Sequence, residues 1–395
     1  MIASTRPFLS GAAFAMTVLF VGDLAAQTPP ATPPADTKPA EPAASPPIFS
    51  IGGFDLTGHF DVGYTHLTGS GKFVSGVNDR VFDFKHNQVF FHALDLQLAK
   101  TPEEGFGGVI DLTIGRDADT IAAYGTISKD KGPANGAKHY VDPTQFYVYY
   151  GAGPFSIIAG KFVTSAGAEV IKSDGDVNYS RSILFGYAIP FTHTGARATY
   201  KVSDTLTLVG GVNEGWDAFQ DPNRDVAVEL GGTFAPSKAV SLIAMYHGGR
   251  ELVTNYPKSD ANGMRNLIDL VATFNATDQL TFVLNYDYAT QDKGAANGGK
   301  AKWQGVAGYV NYQFNDQWRL SVRGEYFDDR DGYRTGVAQK WTEGTLTVAY
   351  MPAKEWEIRA EGRFDHSDAS AFLKSDGVTP TNRQSSFGLE VLYKF

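Results

Sequence analysis

The chain is dominated by segments of about ten residues in which apolar and polar side chains alternate. Clear cases are LTFVLNYDY (280–288), QWRLSVRGEY (317–326) and EWEIRAEGRFD (355–365). A period of two is typical of a β-strand with one apolar and one polar face. Beyond the N-terminal region, no segment reaches the run of about 18 apolar residues that a membrane helix needs. The pattern therefore predicts an all-β protein.

The same alternation, followed from residue 53 to the end of the chain, predicts about sixteen strands, an even number. In chain order they are 53–67, 88–100, 105–116, 143–151, 155–163, 192–202, 205–213, 226–235, 239–248, 265–275, 279–290, 302–314, 317–329, 339–351, 355–366 and 384–395.

The connections between these strands alternate between long and short. Residues 68–87 and 164–191 are long gaps, whereas SD (203–204) and ND (315–316) are tight turns. A soluble sandwich has no reason to sort its loops in this way, and a β-propeller would repeat a blade motif that is absent here. Short periplasmic turns and long outer loops are typical of outer-membrane barrels. We therefore predict a transmembrane antiparallel β-barrel, an up-and-down meander that closes on itself.

The N-terminus has the pattern of an export signal. Arg6 precedes a short apolar run, residues 8–22, and LAAQ offers a cleavage site after Ala26. A membrane anchor is the alternative, but the apolar run is too short to span a bilayer. The prolines of residues 27–49 predict an extended periplasmic linker. The expected domains are thus a signal peptide (1–26), this linker (27–49) and an outer-membrane barrel (50–395).

Composition excludes several classes of function. The net charge of −9 argues against a nucleic-acid partner, since such proteins usually present a basic face. The chain has no cysteine, which removes disulfides, thiolate metal sites and cysteine nucleophiles.

Three short motifs carry a family resemblance: YSRS (179–182), PFTHTG (190–195) and GGVNEGWD (210–217). The stretch that contains them resembles the OmpL-like outer-membrane β-barrel porins, while the rest of the barrel agrees in rhythm and in its terminal Phe. The resemblance implies a porin fold in the bacterial outer membrane. It implies no catalytic residue and no substrate.

The C-terminal segment SSFGLEVLYKF is an apolar ladder that ends on an aromatic residue. It resembles the C-terminal signal that the barrel assembly machinery reads in outer-membrane proteins. We therefore predict that Tyr393 and Phe395 form an assembly signal, and that the last strand closes the barrel against the first.

The sequence offers little evidence for chemistry. Asp61 and His66 are a candidate protease pair, but their spacing puts them on opposite faces of a regular strand. The acidic stretches SDGDVN (173–178) and FDDRDG (327–332) partly match calcium loops without the Gly and Glu of an EF-hand. We predict no enzyme activity, no cofactor and no metal ligands.

The long gap 164–191 is the candidate constriction, because its apolar residues favour burial against the barrel wall over exposure to water. Arginines on the lumen-facing side of 317–329 and 355–366 are expected across the pore from it, so that opposed charges set a transverse field. Trp303 and Trp341 disturb the scheme: they have lumen-facing parity, which predicts a place above the membrane or beyond a bulge. The candidate constriction and pore-lining residues are Glu169, Lys172, Asp174, Asp176, Arg181, Arg319, Arg323, Arg359 and Arg363.

Together these features predict a porin with a water-filled channel for passive diffusion of small hydrophilic solutes and ions, since about sixteen strands enclose a lumen too wide for side chains alone to fill. A barrel that acts as a surface receptor or adhesin through its outer loops is the alternative. The expected partners are outer-membrane lipid and lipopolysaccharide, the assembly machinery, and further copies of the chain in a homotrimer.

Overall fold

The structure is a computed structural model that describes residues 47–126, 139–220, 223–252 and 262–395. The predicted signal peptide and most of the predicted linker lie outside these residues, so both remain predictions.

The described chain forms a closed barrel of sixteen antiparallel strands. The barrel strands are β2 (Phe54–Leu67), β4 (Gln88–Lys100), β5 (Glu104–Ile114), β6 (Val141–Ala152), β7 (Phe155–Val163), β8 (Thr192–Lys201), β9 (Leu206–Asn213), β10 (Ala227–Ser237), β11 (Val240–Leu252), β12 (Asn262–Asn275), β13 (Leu280–Gln291), β14 (Ala301–Asn315), β15 (Trp318–Asp329), β16 (Gln339–Ala353), β17 (Trp356–Ser367) and β20 (Arg383–Lys394). Each pairs with its neighbours in chain order, which confirms the predicted fold.

The barrel closes where β20 pairs with β2. At this seam the backbone N–H of Gly58 donates to the carbonyl of Phe395 over 2.7 Å, and the N–H of Phe395 donates back over 2.9 Å. Closure satisfies the backbone groups of the first and last strands, which lipid is unable to do.

Four short strands and one short α-helix of the described residues lie outside the ring of sixteen strands. β1 (Phe49–Ile51) pairs with the start of β2. β3 (Gly69–Phe73), β18 (Phe372–Lys374) and β19 (Pro380–Thr381) form a separate three-stranded sheet built from two of the long loops. The helix α1 (Arg116–Ile121) follows β5. Among the described residues, no helix is both long and apolar enough to cross a bilayer.

The outer face of the barrel is apolar, as a lipid-facing surface must be. Leu230, Leu284 and Leu346 are about half exposed on this face. Aromatic pairs lie beside the short turns, with ring centroids 4.6 Å apart for Trp318 and Tyr350. Such rings are typical of the aromatic belt at a membrane interface.

The inner face is mostly polar, but it also carries an apolar cluster. Trp303 and Trp341 are fully buried in this cluster, beside Leu184 and Phe372. The strand register around both tryptophans is regular, so a bulge does not displace them, while the alternative, a place above the membrane, stays a prediction. They point inward because a loop segment folds into the barrel and covers them.

Candidate functional site: a segment folded into the barrel

Residues 164–191, between β7 and β8, are here called the inward segment. It contains a 3₁₀ turn (Ser173–Gly175) and a π-helical turn (Leu184–Ala188). Ile183, Leu184 and Ala188 are at most 1% exposed. The indole Nε1 of Trp303 on β14 donates to the carbonyl of Ala188 over 3.0 Å. The apolar part of the segment is therefore packed against the inner face of the barrel wall.

Three arginines of the wall hold the backbone of the inward segment. Arg323 on β15 donates to the carbonyl of Ser180 over 2.6 Å. On β17, Arg359 donates to the carbonyl of Asp176 over 2.6 Å, and Arg363 donates to that of Arg181 over 2.8 Å. Hydrogen bonds from a charged donor are stronger than neutral ones, so the backbone path is strongly specified. The arginine side chains are at most 2% exposed.

The charge of each buried arginine is balanced by carboxylates of the same part of the wall, as burial requires. The list of pairs is Arg323 with Glu343 at 2.8 Å, Arg359 with Glu357 at 2.7 Å and with Glu390 at 2.9 Å, and Arg363 with Asp365 at 2.8 Å. The inward segment adds one carboxylate of its own, because Glu169 lies 2.9 Å from Arg323.

Two glutamates of the wall accept from backbone N–H groups of the segment. Glu361 on β17 accepts from Tyr179 at 2.8 Å and from Ser180 at 3.0 Å. Glu325 on β15 accepts from Ile183 at 3.0 Å, just before the π-helical turn. Arginine and glutamate side chains thus satisfy donors and acceptors that a buried irregular segment would otherwise leave unpaired.

The inward segment is also tied to the wall formed by β2, β4 and β5. The ammonium of Lys172 lies 2.8 Å from Asp95 and 3.1 Å from Asp111. Asp174 lies 3.4 Å from His59. Contacts with strands both at the start and near the end of the chain fix where the segment lies in the lumen.

Arg181 organises the segment internally. Its guanidinium donates to the carbonyls of Val170 at 3.0 Å and Ile171 at 2.8 Å, and it pairs with Asp176 at 2.8 Å. One buried cation therefore joins the two arms of the segment, and Asp176 compensates its charge.

Two tyrosines link the segment to other loops. The hydroxyl of Tyr179 lies 2.9 Å from His92 Nε2, and His92 Nδ1 lies 3.1 Å from Asp117 in α1. The hydroxyl of Tyr187 donates to the carbonyl of Asn78 in the gap 68–87 at 2.5 Å. The inward segment, α1 and the gap 68–87 consequently form one connected interior structure.

The gap 68–87 contains a buried carboxyl group with an altered pKa. Burial raises the pKa of Asp79 to about 7; Arg80 lowers it, and Asp365 raises it further. This carboxyl group therefore changes its charge near neutral pH.

A cavity of about 390 Å³ lies between the inward segment and the short-turn ends of β12 to β15. Glu169 and Asp176 line it from the segment, and Thr281, Gln313 and Arg319 line it from the wall. Most of the residues that line it have polar or charged side chains, which offer hydrogen-bond partners to water and to hydrophilic solutes.

The structure brings the five predicted residues of the segment into one region, each beside an ionisable partner. It corrects the expected place of the arginines, because Arg323, Arg359 and Arg363 touch the segment directly instead of facing it across the pore. The segment crosses the lumen to reach them. Arg319 pairs with Glu357 beside Arg359. These contacts do not form the expected transverse field of opposed acidic and basic faces.

Sequence patterns do not identify all the residues that hold the inward segment. Glu325 and Glu361 lie on the lumen-facing side of their strands, as the alternation of polar and apolar residues predicts. The alternation does not show which groups these carboxylates contact. Trp303 and Trp341 are the sequence feature that could have indicated a segment folded into the barrel, because a tryptophan that points inward needs an apolar partner there.

The side chains of the acidic stretch 173–178 do not converge on one point, as the ligands of a calcium loop would. The carboxylate of Asp174 turns to His59 and that of Asp176 to Arg181, while the amide nitrogen of Asn178 donates to Thr347, so the three side chains point to different partners. At the barrel seam, Tyr393 packs on Trp356 with ring centroids 4.8 Å apart. The role of Tyr393 and Phe395 as an assembly signal remains a prediction.

Comparison with known sequences gives the family. Residues 53–395 match the sequence profile described as putative beta-barrel porin-2, OmpL-like. The chain belongs to this porin family. The porin is accordingly an integral protein of the bacterial outer membrane, with a closed barrel and a channel function. No curated protein sequence matches it at a significant level.

Solved structures with a similar fold are outer-membrane proteins. The outer-membrane channel DcaP of Acinetobacter baumannii has 16% identity and a TM-score of 0.58, over 89% of this porin and 100% of that chain. An anion-selective porin from Comamonas acidovorans has 12% identity and a TM-score of 0.59, over 87% and 99%. OmpT of Vibrio cholerae in its trimer form has 13% identity and a TM-score of 0.57, over 87% and 99%. At these identities the likeness concerns the fold alone.

Proposed function

We propose that this porin passes small hydrophilic solutes by passive diffusion along an aqueous path that the inward segment narrows. The proposal rests on one observation: the inward segment is attached to the barrel wall on two sides of the lumen. Lys172 ties it to β4 and β5, and Arg323 ties it to β15. A segment held at both walls occupies lumen cross-section, so pore width and nearby charge become the selecting features.

The proposal involves no covalent step. Asp61 and His66, the candidate protease pair, are separated in the structure: Asp61 is buried and accepts from Ser173 at 2.6 Å, while His66 is exposed beside Asn87 at 2.6 Å. The candidate protease pair of Asp61 and His66 therefore does not come together in the structure.

The assembly we propose is a homotrimer in outer-membrane lipid and lipopolysaccharide. A trimer form exists for OmpT of Vibrio cholerae, a protein of similar fold. β20 closes the barrel by pairing with β2. This position suits a last strand that the barrel assembly machinery joins to the first strand.

Single-channel conductance in planar bilayers tests the function. Steady open levels are expected for the wild-type protein, and deletion of residues 170–186 should raise conductance because it removes the part of the segment that lies on the wall arginines. A barrel without any open level would instead support the receptor or adhesin alternative. A folded deletion variant with unchanged conductance would refute the constriction while leaving the pore in place.

A further inference from the structure

Three potential metal ligands meet on the inner wall, away from the arginines that anchor the inward segment. They are His193 at the start of β8, Glu229 on β10 and His247 on β11, and one ligand atom from each lies within 4.8 Å of the others. Their exposure is 1%, 0% and 2%. Two imidazoles and one carboxylate are a ligand set that zinc uses in proteins.

The orientation of His193 is fixed by its surroundings. Its Nδ1 lies 3.0 Å from the carbonyl of Gly215, so Nδ1 carries the proton and donates it. Among the described residues, Nε2 has no hydrogen-bond partner, and its lone pair faces the buried interior. A ligand histidine is usually held in this way, with the other ring nitrogen donating to a carbonyl or carboxylate.

Glu229 is held by Arg197 on β8. The two side chains form a forked pair with distances of 2.7 Å and 2.9 Å. A carboxylate has about four lone-pair positions, so this pair leaves positions on both oxygens for another partner. The positive charge of Arg197 repels a cation bound to Glu229, which lowers the expected metal affinity. Glu229 is still able to act as a metal ligand.

His247 is the adjustable member of the cluster. Within the described part of the chain, neither of its ring nitrogens has a hydrogen-bond partner. Its ring stacks on that of His193, with centroids 5.1 Å apart and planes 6° apart. The lone pair of an imidazole nitrogen lies in the ring plane, so an ion in the plane of one stacked ring lies outside the plane of the other, and one ring has to turn before both bind one ion. Turning His247 breaks no hydrogen bond, and its Nδ1 starts 3.9 Å from Glu229.

We propose that His193, Glu229 and His247 bind a divalent first-row transition metal ion such as Zn²⁺. Imidazole nitrogens favour such ions over Mg²⁺ and Ca²⁺, which prefer all-oxygen sites. The site explains why two imidazoles with unused nitrogens are buried side by side. A second cluster, Asp61, His92 and Asp117, carries no such proposal, because both ring nitrogens of His92 are already hydrogen-bonded.

The proposal is tested by metal binding to folded protein prepared without a histidine tag. Zn²⁺ is titrated calorimetrically, and Co²⁺ is added separately to record the visible absorption of a tetrahedral nitrogen and oxygen site. One bound ion per chain is expected. The variants His193→Ala, His247→Ala and Glu229→Gln should each weaken binding at least tenfold and remove the cobalt absorption. His366→Ala, which changes an exposed ring, should leave both unchanged.

Each variant is first checked for the heat-modifiable gel mobility of a folded barrel, and His247→Asn replaces His247→Ala if the latter does not fold. Equal Zn²⁺ affinity in the wild type and the His193 and His247 variants would overturn the proposal. So would the absence of any binding by the wild-type protein at millimolar Zn²⁺. Neither result depends on conductance, so the metal site and the pore function fail independently.

Discussion

Arg323 on β15 and Glu169 in the inward segment are 154 positions apart in the chain, yet their side chains lie 2.9 Å apart inside the barrel. The same guanidinium donates to the carbonyl and to the hydroxyl of Ser180. One wall residue therefore contacts both arms of the segment. This makes Arg323 the position where loss of a single side chain should most affect the segment.

Replacing Arg323 with alanine should lower the free energy of unfolding by about 3–5 kcal/mol, because it leaves buried carboxylates unpaired. Urea unfolding in detergent measures the change. Arg330→Ala is the matched control: Arg330 also pairs with a carboxylate, that of Asp328, but its side chain is 61% exposed, so a change of about 0–1 kcal/mol is expected. Similar losses for both variants would contradict an anchoring role for Arg323.

Much of the barrel could be predicted from the sequence because strand parity and loop length are local properties. Every predicted strand is present, with ends that shift by only a few residues. The partners of Arg359 could not be predicted. Strand alternation places this side chain on the lumen-facing side, but it gives neither the position of Arg359 along the barrel axis nor the path of the inward segment. The meeting of His193 and His247 likewise depends on the register across four strands, which alternation does not specify.

Two aspartates of the inward segment should affect ion permeation differently, because they differ in exposure. Asp174 is 32% exposed beside His59, so its charge is available to solutes. Asp174→Asn should shift ion selectivity toward anions, measured as a reversal potential across a salt gradient. Asp176 is buried against Arg181, so Asp176→Asn should instead loosen the segment and make the open level noisier.

Asp204→Asn controls for a general charge effect, since Asp204 is 95% exposed in a short turn. An equal shift in reversal potential for Asp174→Asn and Asp204→Asn would place Asp174 outside the solute path.

Labelling of introduced cysteines tests which way the side chains face, and the chain has no native cysteine to interfere. Cysteine at Leu284 should resist a water-soluble thiol reagent because this face meets lipid, whereas cysteine at Thr281 should react from the cavity. Asn285 is on the opposite face of the strand from Leu284 but is only 2% exposed, so a cysteine at this position should not react in the intact protein. Its labelling should appear only after deletion of residues 170–186. Fast labelling at Leu284 in lipid would mean that the strand register is wrong.

Phe395→Asp should reduce the amount of folded, heat-modifiable barrel in the outer membrane. The residue ends the closing strand, and its ring stands 6.0 Å from that of Tyr393. Phe395→Tyr keeps an aromatic end and should assemble normally. Wild-type levels of folded Phe395→Asp protein would count against a terminal assembly signal.

Asp79 should make stability depend on pH between about 4 and 7. Burial raises its pKa from the ordinary 3.8 to about 7, so the carboxyl group is neutral in the folded protein at pH 5 but charged in the unfolded chain. Its favourable contribution is complete below pH 3.8 and is lost as pH rises through about 7. The largest loss is about 4 kcal/mol by the conversion of pKa to free energy.

Asp79→Asn removes the titrating group, so the urea midpoint should fall less between pH 5 and pH 8 than in the wild type. Asp376→Asn is the control, because hydrogen bonds from Thr379 lower the pKa of Asp376 to about 2 and keep it charged throughout this range. If wild type and Asp79→Asn lose the same stability between the two pH values, Asp79 is not the titrating group.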